Sequence, residues 1–294
     1  MLQKISAFGI MLCRGDFVAQ ADEIFIQNCK DILKKGDWDK GKGAVRPRWQ
    51  DGEPAYSIGL FGLINRYDLS KEFPALTLRR LAFKTCVDEI LWIWQKKSNK
   101  LSELKGKIWN QWAGEDGTIG KAYGYQLAKK HRYTEGEFDQ VDRALYDLTH
   151  NKSSRRIITN MYNHEELYAM NLYPCAYSMT FNVKHGRLNA ILNQRSQDFL
   201  VANNWNVCQY AVLLHIFAQS CGLEPGELVH VIADAHIYDR HVDLVEQLIK
   251  KEPKAPARLW INPEKSDFYS FNVSDFKLLE YEYHDFDVAI PVAE

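Results

Sequence analysis

The sequence has almost no net charge. Its 294 residues include 37 Lys and Arg against 38 Asp and Glu, which gives a formal charge of -1 at pH 7. A protein whose main partner is nucleic acid or an anionic membrane carries a positive field at its surface. We therefore expect neither nucleic acid nor a membrane as the main partner.

Cysteines are few, and no two form a CxxC pair. The six stand at positions 13, 29, 86, 175, 208 and 221. This spacing argues against a disulfide framework and makes a reducing cytoplasm the expected compartment. The start of the chain fits neither a secretory signal nor a spanning helix, because Arg14 and Asp16 directly follow its short apolar stretch.

Long apolar runs and flexible linkers are also missing. The longest apolar stretch, 205–221, is interrupted by Gln209, His215 and Gln219, as is typical of a helix buried in a core. No repeat, low-complexity tract or Pro/Gly/Ser-rich linker divides the chain. Because 46% of the residues are apolar, the chain can bury a large core, and we expect residues 1–294 to form a single domain.

Hydrophobic periodicity predicts an α+β fold, with long helices packed on a mixed or antiparallel sheet. Helices are predicted up to Gly36 and over 76–95, 137–150 and 209–221, and a loop over 41–54. Strands are predicted in YSIGLFGLINRYDL, RRIITNMY, YSMTFNV, LNAILNQ and ELVHVI. A turn at Gly186-Arg187 predicts that two of these strands form a hairpin.

Nucleotide-loop and metal motifs are absent. The Gly-rich stretch 114–121 lacks the GxxxxGK[ST] spacing, and GxGxxG does not occur. His236 and His241 are five residues apart, without an HExxH pattern or a second ligand cluster. These absences argue against triphosphate, dinucleotide and metal sites.

Cys175 is the most suggestive candidate for chemistry, since a neighbouring guanidinium such as Arg195 can activate a thiol as a nucleophile. An inert buried cysteine is the more common alternative. Arg195-Ser196 and the pair Arg155-Arg156 carry groups that bind phosphate monoesters. Surface salt bridges explain these arginines equally well.

Several other residues have both a functional and a purely structural interpretation. Glu89 lies in an apolar helical segment, where a carboxylate facing inward would have a raised pKa; one facing water is the simpler alternative. His236 and Tyr238 alternate on one face of an extended segment and could bind one ligand. Trp109 and Trp112 could form a stacking surface, although two core tryptophans are the ordinary explanation.

The chain resembles the thymidylate synthase family along nearly its whole length. The resemblance is carried, in chain order, by YDLSKEFPALTLRR, DEILWIWQKKSN, IWNQWAGEDGTIGKAYGYQL, SSRRIITNMYN, NLYPCAYSMTFNV, NQRSQDFL, NWNVCQYAVLLHIFAQSCGLEPGELVHVIADAHIYDRH and the terminal PVA. It implies a large mixed sheet covered by helices, in a homodimer whose two sheets pack together. The implied reaction is the reductive methylation of dUMP to dTMP. In it 5,10-methylenetetrahydrofolate supplies carbon and hydride and leaves as dihydrofolate, without a metal.

The resemblance also implies roles for the residues that bind and activate dUMP. Cys175 matches the nucleophile that attacks C6, and Arg195 and Ser196 match phosphate ligands. Arg155 and Arg156 match arginines lent to the partner subunit's phosphate site. A further phosphate arginine lies in the N-terminal loop, where Arg46 and Arg48 both fit and Arg48 is slightly favoured.

The base, the ribose and the folate have implied partners too. Asn206 matches the amide that reads the base, and its acceptor and donors suit the N3-H and O4 of uracil. His236 and Tyr238 match the pair that holds the ribose hydroxyl. The remaining implied residues are Glu89 for proton transfer, Tyr123 for removal of the C5 proton, Trp109, Trp112 and Ala293 for the folate, and Asp198 for both ligands.

Several positions depart from the family pattern: Asn110, Ala176, Ala202, Ala233 and Glu294. None removes an indispensable group, but Glu294 changes the terminus that closes over the folate in relatives. One alternative is a pyrimidine nucleotide hydroxymethylase on the same scaffold, in which water replaces hydride; the two tryptophans, which should exclude water, argue against it. A nucleotide- or RNA-binding protein without turnover is the other, and the intact Cys175, Glu89 and Asn206 argue against that.

Overall fold

The structure is a computed structural model that describes residues 18–294. Predictions that fall on residues 1–17, including the early part of the first helix and the unsuitability of the chain start as a signal, lie outside the described residues. The six α-helices of the described part are α1 Gln20–Lys35, α2 Phe83–Trp94, α3 Gly124–Ala128, α4 Gln140–His150, α5 Asn203–Ser220 and α6 Val242–Leu248.

The described strands form one large sheet and two small hairpins. They are β1 Asp37–Trp38, β2 Ser57–Asp68, β3 His131–Tyr133, β4 Gly136–Phe138, β5 Ile158–Asn160, β6 Ala176–Lys184, β7 Arg187–Gln194, β8 Gln197–Asp198, β9 Glu224–Tyr238, β10 Arg258–Ile261 and β11 Phe276–Leu279. The seven-stranded sheet has the order β1-β2-β9-β7-β6-β5, with β8 paired to β9. Because β7 and β8 run parallel to β9 while the other pairs are antiparallel, the sheet is mixed and the α+β prediction is confirmed.

The two faces of this sheet differ in burial. Asn65, His230, Leu192, Met179 and Thr159 are aligned across five strands, and all are buried on the inner face. Helix α1 packs against β2 and β9, while α5 packs against β7 and β9. The core therefore lies between the sheet and this helical layer.

The opposite face of the sheet leaves large apolar side chains uncovered. Ile64, Ile191 and Ile158, from three different strands, are 63%, 40% and 56% exposed. The strand registers place these residues on the same side, with Thr180 between the last two. Contiguous exposed apolar surface of this kind marks an interaction site.

Most predicted elements are present, with shifted boundaries. Helices α1 and α4, the loop after β1, and strands β2, β5, β6 and β7 lie where the sequence predicts them. The hairpin turn comes one residue earlier than predicted, at His185-Gly186, where both residues have positive φ. Helix α5 begins at Asn203, and β9 extends well beyond the predicted 227–232.

The prediction of a helix over 76–95 is wrong for its first part, because α2 begins only at Phe83. Residues 76–82 form an irregular segment with bends, and its main-chain groups bond to distant side chains. Thr77 N donates to Asp22 Oδ1 at 2.9 Å, and Tyr281 Oη donates to the Leu76 carbonyl at 2.9 Å and accepts from Leu81 N at 3.0 Å. These bonds replace the helical ones, so apolar density alone is misleading here.

None of the helices in the described residues combines the length and apolar character needed to cross a bilayer. Within residues 18–294, no group of three or more His, Cys, Asp or Glu side chains is arranged to hold a metal ion. Cys29, Cys86, Cys175, Cys208 and Cys221 are free.

We expect two glycines of one loop to respond differently to substitution by alanine. Gly117 and Gly120 have φ of +72° and +70°, but a Cβ at Gly120 would lie 2.3 Å from the Ala169 carbonyl oxygen, whereas one at Gly117 meets nothing within 4 Å. Gly117→Ala should therefore lower the free energy of unfolding by about 1 kcal/mol, the cost of a left-handed alanine. Gly120→Ala should lower it by about 3 kcal/mol, because the main chain must also move. Urea unfolding measures both, and equal losses would contradict the predicted clash.

Candidate active site

Cys175 lies immediately before β6 and is held through its main chain. Its N-H donates to Tyr123 Oη at 3.0 Å, and its carbonyl oxygen accepts from Arg195 N at 2.9 Å. The side chain is only partly buried. Because the main chain is fixed on both sides, the thiol has a defined position at the edge of the sheet.

Arg195 brings a positive charge to this thiol. Its Nη2 lies 3.6 Å from Cys175 Sγ, while the guanidinium also donates to the carbonyls of Tyr173 at 2.7 Å and Pro174 at 3.1 Å. Burial raises the pKa of the Cys175 thiol, and Arg195, the Tyr123 hydroxyl and Arg46 oppose this rise. The balance keeps the pKa above its usual value, so the thiol form predominates at neutral pH.

Tyr123 reaches Cys175 from a strained backbone conformation. It has φ 46° and ψ -107°, a left-handed conformation that is rare outside glycine, and it immediately precedes α3. Its ring is buried edge-on against Trp109, with centroids 5.1 Å apart. Strain of this kind costs about 1–3 kcal/mol and is concentrated at functional sites.

Glu89 is buried on α2 and faces α5. Its Oε1 accepts from Trp205 Nε1 at 3.2 Å and from Gln209 Nε2 at 2.8 Å. Burial raises the pKa of the Glu89 carboxyl, only partly opposed by its hydrogen-bond donors, and Asp88 raises it further. A carboxyl in this environment holds its proton at higher pH than an exposed glutamate does.

Asn206, on α5, is bonded into a row of glutamine side chains. Its Oδ1 accepts from Gln194 Nε2 and from Gln197 Nε2, both at 3.1 Å, and its Nδ2 donates to Gln209 Oε1 at 3.1 Å. Since Gln209 bonds to Glu89, Asn206 and the carboxyl belong to one connected polar network.

His236 and Tyr238 lie side by side at the end of β9, as their spacing predicts. Their ring centroids are 5.0 Å apart, and His236 Nδ1 is 2.8 Å from Asp234 Oδ2. Burial raises the pKa of the Tyr238 phenol well above its usual range, so its hydroxyl stays protonated. The Tyr238 hydroxyl can therefore donate a hydrogen bond to a ligand. A neutral His236 that donates from Nδ1 to Asp234 can accept one at Nε2.

Asp198 lies on the other side of these rings. Its Oδ1 accepts from Leu200 N and Val201 N, both at 3.0 Å, and it is 3.7 Å from His241 Nδ1, an electrostatic contact rather than a hydrogen bond. His241 Nε2 lies 2.7 Å from the carbonyl oxygen of Pro291. His241 thus connects Asp198 to the C-terminal segment, which includes Ala293.

The 39–56 loop is fixed beside the same rings. Trp49 packs edge-on against Tyr238 and His241, at 5.7 and 5.4 Å, and its Nε1 donates to Asp239 Oδ1 at 3.0 Å. The main chain of Arg48 forms reciprocal hydrogen bonds with Glu294, at 2.7 and 2.9 Å.

The two arginines of this loop differ in what they contact. Arg48 Nη1 donates to the carbonyl of Val45 at 3.0 Å, whereas the charge of Arg46 lowers the pKa values of the Cys175 thiol and the Tyr238 phenol. Arg46 is thus the loop arginine whose field reaches the thiol.

Trp109 and Trp112 do not form one flat surface. Their planes are inclined at 64° with centroids 5.7 Å apart, and Trp109 is buried against Trp92 while Trp112 is half-buried. The indole N-H of Trp109 makes no hydrogen bond within residues 18–294, although its proximity lowers the pKa of Glu89.

Arg155 and Arg156 are not brought to Cys175. Both are exposed before β5, and within the described chain their side chains form no hydrogen bond or ion pair. Of the other predicted residues, Tyr123 and Arg195 contact Cys175. Glu89 and Asn206 share one hydrogen-bonded network, and His236 and Tyr238 lie side by side.

Sequence reasoning missed several members of the network. Gln194 and Gln197 flank Arg195-Ser196, and Gln209 lies three residues after Asn206 on the same face of α5. This helical spacing could have identified Gln209, because i and i+3 side chains are neighbours. Trp49 and Asp234 had no sequence signal that distinguished them from ordinary core and surface residues.

Comparisons with known proteins agree with this geometry. The family model described as thymidylate synthase matches residues 23–294. The chain is 44% identical over 281 residues to thymidylate synthase 1 of Bacillus subtilis (strain 168) and to the thymidylate synthase of Bacillus phage phi3T. Each alignment covers 93% of this chain and 100% of the relative. The solved structure of thermostable thymidylate synthase A from Bacillus subtilis is similar, with a TM-score of 0.89 and 42% identity, covering 93% of this chain and 99% of that one.

The pH dependence of Cys175 alkylation should report the charge of Arg195. Since Arg195 lowers the pKa of the thiol, Arg195→Gln should raise this pKa and move the alkylation profile to higher pH by about one unit. The rate with iodoacetamide, followed by mass at the Cys175 peptide, measures the shift. Arg195→Lys, which keeps the charge, should shift the profile less, and Arg187→Gln, far from the thiol on β7, should not shift it. An unchanged profile in Arg195→Gln would show that its charge does not act on the thiol.

Proposed function

The chain belongs to the thymidylate synthase family, and we propose that its activity resides in the cluster around Cys175. The reaction is the reductive methylation of dUMP to dTMP. The co-substrate 5,10-methylenetetrahydrofolate supplies the carbon and the hydride and leaves as dihydrofolate. The observation that carries the proposal is the guanidinium of Arg195 at 3.6 Å from the Cys175 thiol.

The phosphate of dUMP is bound by a set of arginines and a hydroxyl. In this proposal Arg195 and Ser196 contact it from the turn after β7, and Arg46 or Arg48 from the 39–56 loop. Arg46 is the better candidate, because its charge reaches Cys175 whereas Arg48 Nη1 bonds to the Val45 carbonyl. A guanidinium that contacts both thiol and phosphate places the base beside the nucleophile.

Cys175 acts as the nucleophile. Its thiolate adds to C6 of uracil, and the electrons of the C5-C6 π bond move over C5 and the C4 carbonyl as an enolate. C5 is then nucleophilic toward the methylene carbon of the folate. The raised pKa of the free thiol means that activation depends on positive charge from Arg195 and Arg46 and on the Tyr123 hydroxyl.

The base and sugar are read by side chains of α5 and β9. Asn206 accepts from N3-H and donates to O4 of uracil, while His236 and Tyr238 bind the 3'-hydroxyl of a deoxyribose. Asp198 supports the nucleotide side of the cleft. The support for Asn206 is that it belongs to the polar network of Gln194, Gln209 and Glu89. The support for His236 and Tyr238 is that their rings lie side by side at the end of β9.

Proton transfer is assigned to Glu89 and Tyr123. The buried Glu89 carboxyl has a raised pKa and can exchange protons with the O4 side of the ring through ordered groups of the network. Tyr123, whose hydroxyl bonds to Cys175 N, helps to remove the C5 proton.

The folate is bound by Trp109, Trp112, Asp198 and Ala293. Trp112, half-buried against Trp109, offers the pterin an apolar contact. The C-terminal segment is held near the cleft by His241 and the Arg48 main chain, which supports its role in covering this ligand.

The enzyme is proposed to be a cytoplasmic homodimer. The uncovered apolar sheet face at Ile64, Ile158 and Ile191 supports sheet-to-sheet pairing of two copies. The exposed Arg155 and Arg156 are then available to the partner's phosphate site. The free cysteines support a reducing compartment.

We expect purified protein to convert dUMP and methylenetetrahydrofolate into dTMP and dihydrofolate in equal amounts. Dihydrofolate absorbance follows the folate, and mass identifies the nucleotide. Cys175→Ser should lower kcat by at least about a thousandfold, as loss of a nucleophile does. Cys221→Ser, at the far end of α5, is the matched control and should remain active.

Two outcomes would contradict this reaction. Hydroxymethyl-dUMP without folate oxidation would indicate the hydroxymethylase alternative, which none of the similar proteins supports. Nucleotide binding without any product would indicate a binding protein.

Mixing two inactive variants tests whether Arg155 and Arg156 act across the dimer. Cys175→Ser lacks the nucleophile, and Arg155→Gln/Arg156→Gln lacks the donated charges. If the arginines serve the partner, each mixed dimer has one complete site. Random exchange after mild denaturation should then restore about a quarter of wild-type activity, since half the dimers are mixed. No recovery would indicate that the arginines act within their own subunit, and an active monomer in light scattering would exclude the dimer.

A further inference from the structure

A buried row of side chains runs from β9 to α2 behind the candidate active site. His230 Nε2 lies 2.9 Å from Gln194 Oε1, Gln194 bonds to Asn206, Asn206 to Gln209, and Gln209 to Glu89. His230 itself was assigned no role by the sequence. It is fully buried on the inner face of the sheet.

The orientation of the Gln194 amide follows from a main-chain acceptor. The amide group of Gln194 that faces Asn206 also lies 3.1 Å from the Ser196 carbonyl oxygen. A carbonyl oxygen can only accept, so this group must be the NH2 of Gln194. The Gln194 oxygen therefore faces His230, and His230 Nε2 must carry a proton and donate it.

A second fixed group lies at the other end of the row. The indole N-H of Trp205 can only donate, and it bonds to Glu89 Oε1. Glu89 Oε1 is thus an acceptor, and Gln209 must present its NH2 to it and its oxygen to Asn206. Both ends require the same arrangement, in which Asn206 Oδ1 faces Gln194 and Asn206 Nδ2 faces Gln209.

His230 has the properties of a fixed neutral donor. Burial lowers the pKa of His230 to about 3, so the ring is neutral at physiological pH and has one protonated nitrogen. Its Nδ1 makes no hydrogen bond within residues 18–294. An unprotonated Nδ1 is the less costly state there, because a buried N-H without an acceptor is strongly unfavourable.

We propose that His230 is a positioning residue for base selection: by donating from Nε2 to Gln194, it keeps the Asn206 amide in the orientation that accepts uracil and rejects cytosine. The inference rests on the proposed role of Asn206 in reading the base. Uracil presents N3-H beside the acceptor O4, whereas cytosine presents an unprotonated N3 beside an amino group. An Asn206 amide of fixed direction matches the first pattern, and a reversed amide matches the second.

Two variants of His230 separate the donor from the volume of the ring. His230→Phe keeps a planar ring but removes the N-H, so the Gln194 oxygen is left without its donor. The Ser196 carbonyl and the Trp205-Glu89 end still favour the same direction, but reversal of Gln194 together with Asn206 becomes less costly. His230→Gln keeps an N-H at a similar distance from the main chain. Calorimetry with dUMP and with dCMP gives the ratio of their Kd values without any need for turnover.

We expect His230→Phe to lower the preference for dUMP over dCMP about tenfold, the scale of one buried hydrogen bond. His230→Gln should restore the preference to within about threefold of wild type. A merely structural role would weaken the binding of dUMP and dCMP equally and leave the ratio of their Kd values unchanged. That result would overturn the proposal.

Asn206→Asp distinguishes failure of this inference from failure of its premise. A changed ratio in Asn206→Asp with an unchanged ratio in His230→Phe would overturn the role of His230 and leave the role of Asn206 standing. An unchanged ratio in both would overturn the base-reading role of Asn206 as well.

Neutron diffraction from wild-type crystals tests the same point without a variant that must fold. The expected result is deuterium on His230 Nε2 and none on His230 Nδ1. The deuterated side-chain amino group of Gln194 should be directed at Asn206 Oδ1. Deuterium on Nδ1, with the Gln194 amide reversed, would overturn the proposal.

Discussion

The requirement that every buried polar group find a partner governs this protein more than any single contact. The core between the sheet and α5 contains Glu89, Gln194 and Gln209 among apolar side chains, and the half-buried Asn206 lies between them in the row. Each is costly to bury unless hydrogen-bonded, and each is satisfied by the next. Because donors and acceptors alternate along the row, the direction of one amide determines the others. In the proposed complex, the direction of the Asn206 amide is therefore set by residues that do not touch the base.

The same requirement positions Cys175. Arg195 satisfies the carbonyls of Tyr173 and Pro174 as well as approaching the Cys175 thiol. The guanidinium is thus held by the main chain it supports, and its charge is present before any ligand arrives. Such preorganisation lowers the reorganisation needed during a reaction.

Much of the fold could be predicted from sequence, because α1, α4 and strands β5 to β7 each have a local periodicity that matches their environment. The irregular segment 76–82 could not, since its hydrogen bonds come from Asp22 and Tyr281, which are distant in sequence. Within the site, the family motifs named Cys175, Glu89 and Asn206, but nothing local indicated that Gln194 and His230 complete their network. Hydrogen-bond partners across strands are set by register, which periodicity does not specify.

Tyr123 shows that this chain is not optimised for stability alone. Its left-handed backbone would be relaxed by glycine, yet glycine would lose the hydroxyl that accepts from Cys175 N and lowers the pKa of the thiol. The native state thus carries a local conformational penalty in exchange for a correctly placed hydroxyl. Selection for thermal tolerance without selection for turnover would be free to remove that residue, so a more stable descendant of this protein can be a less active one.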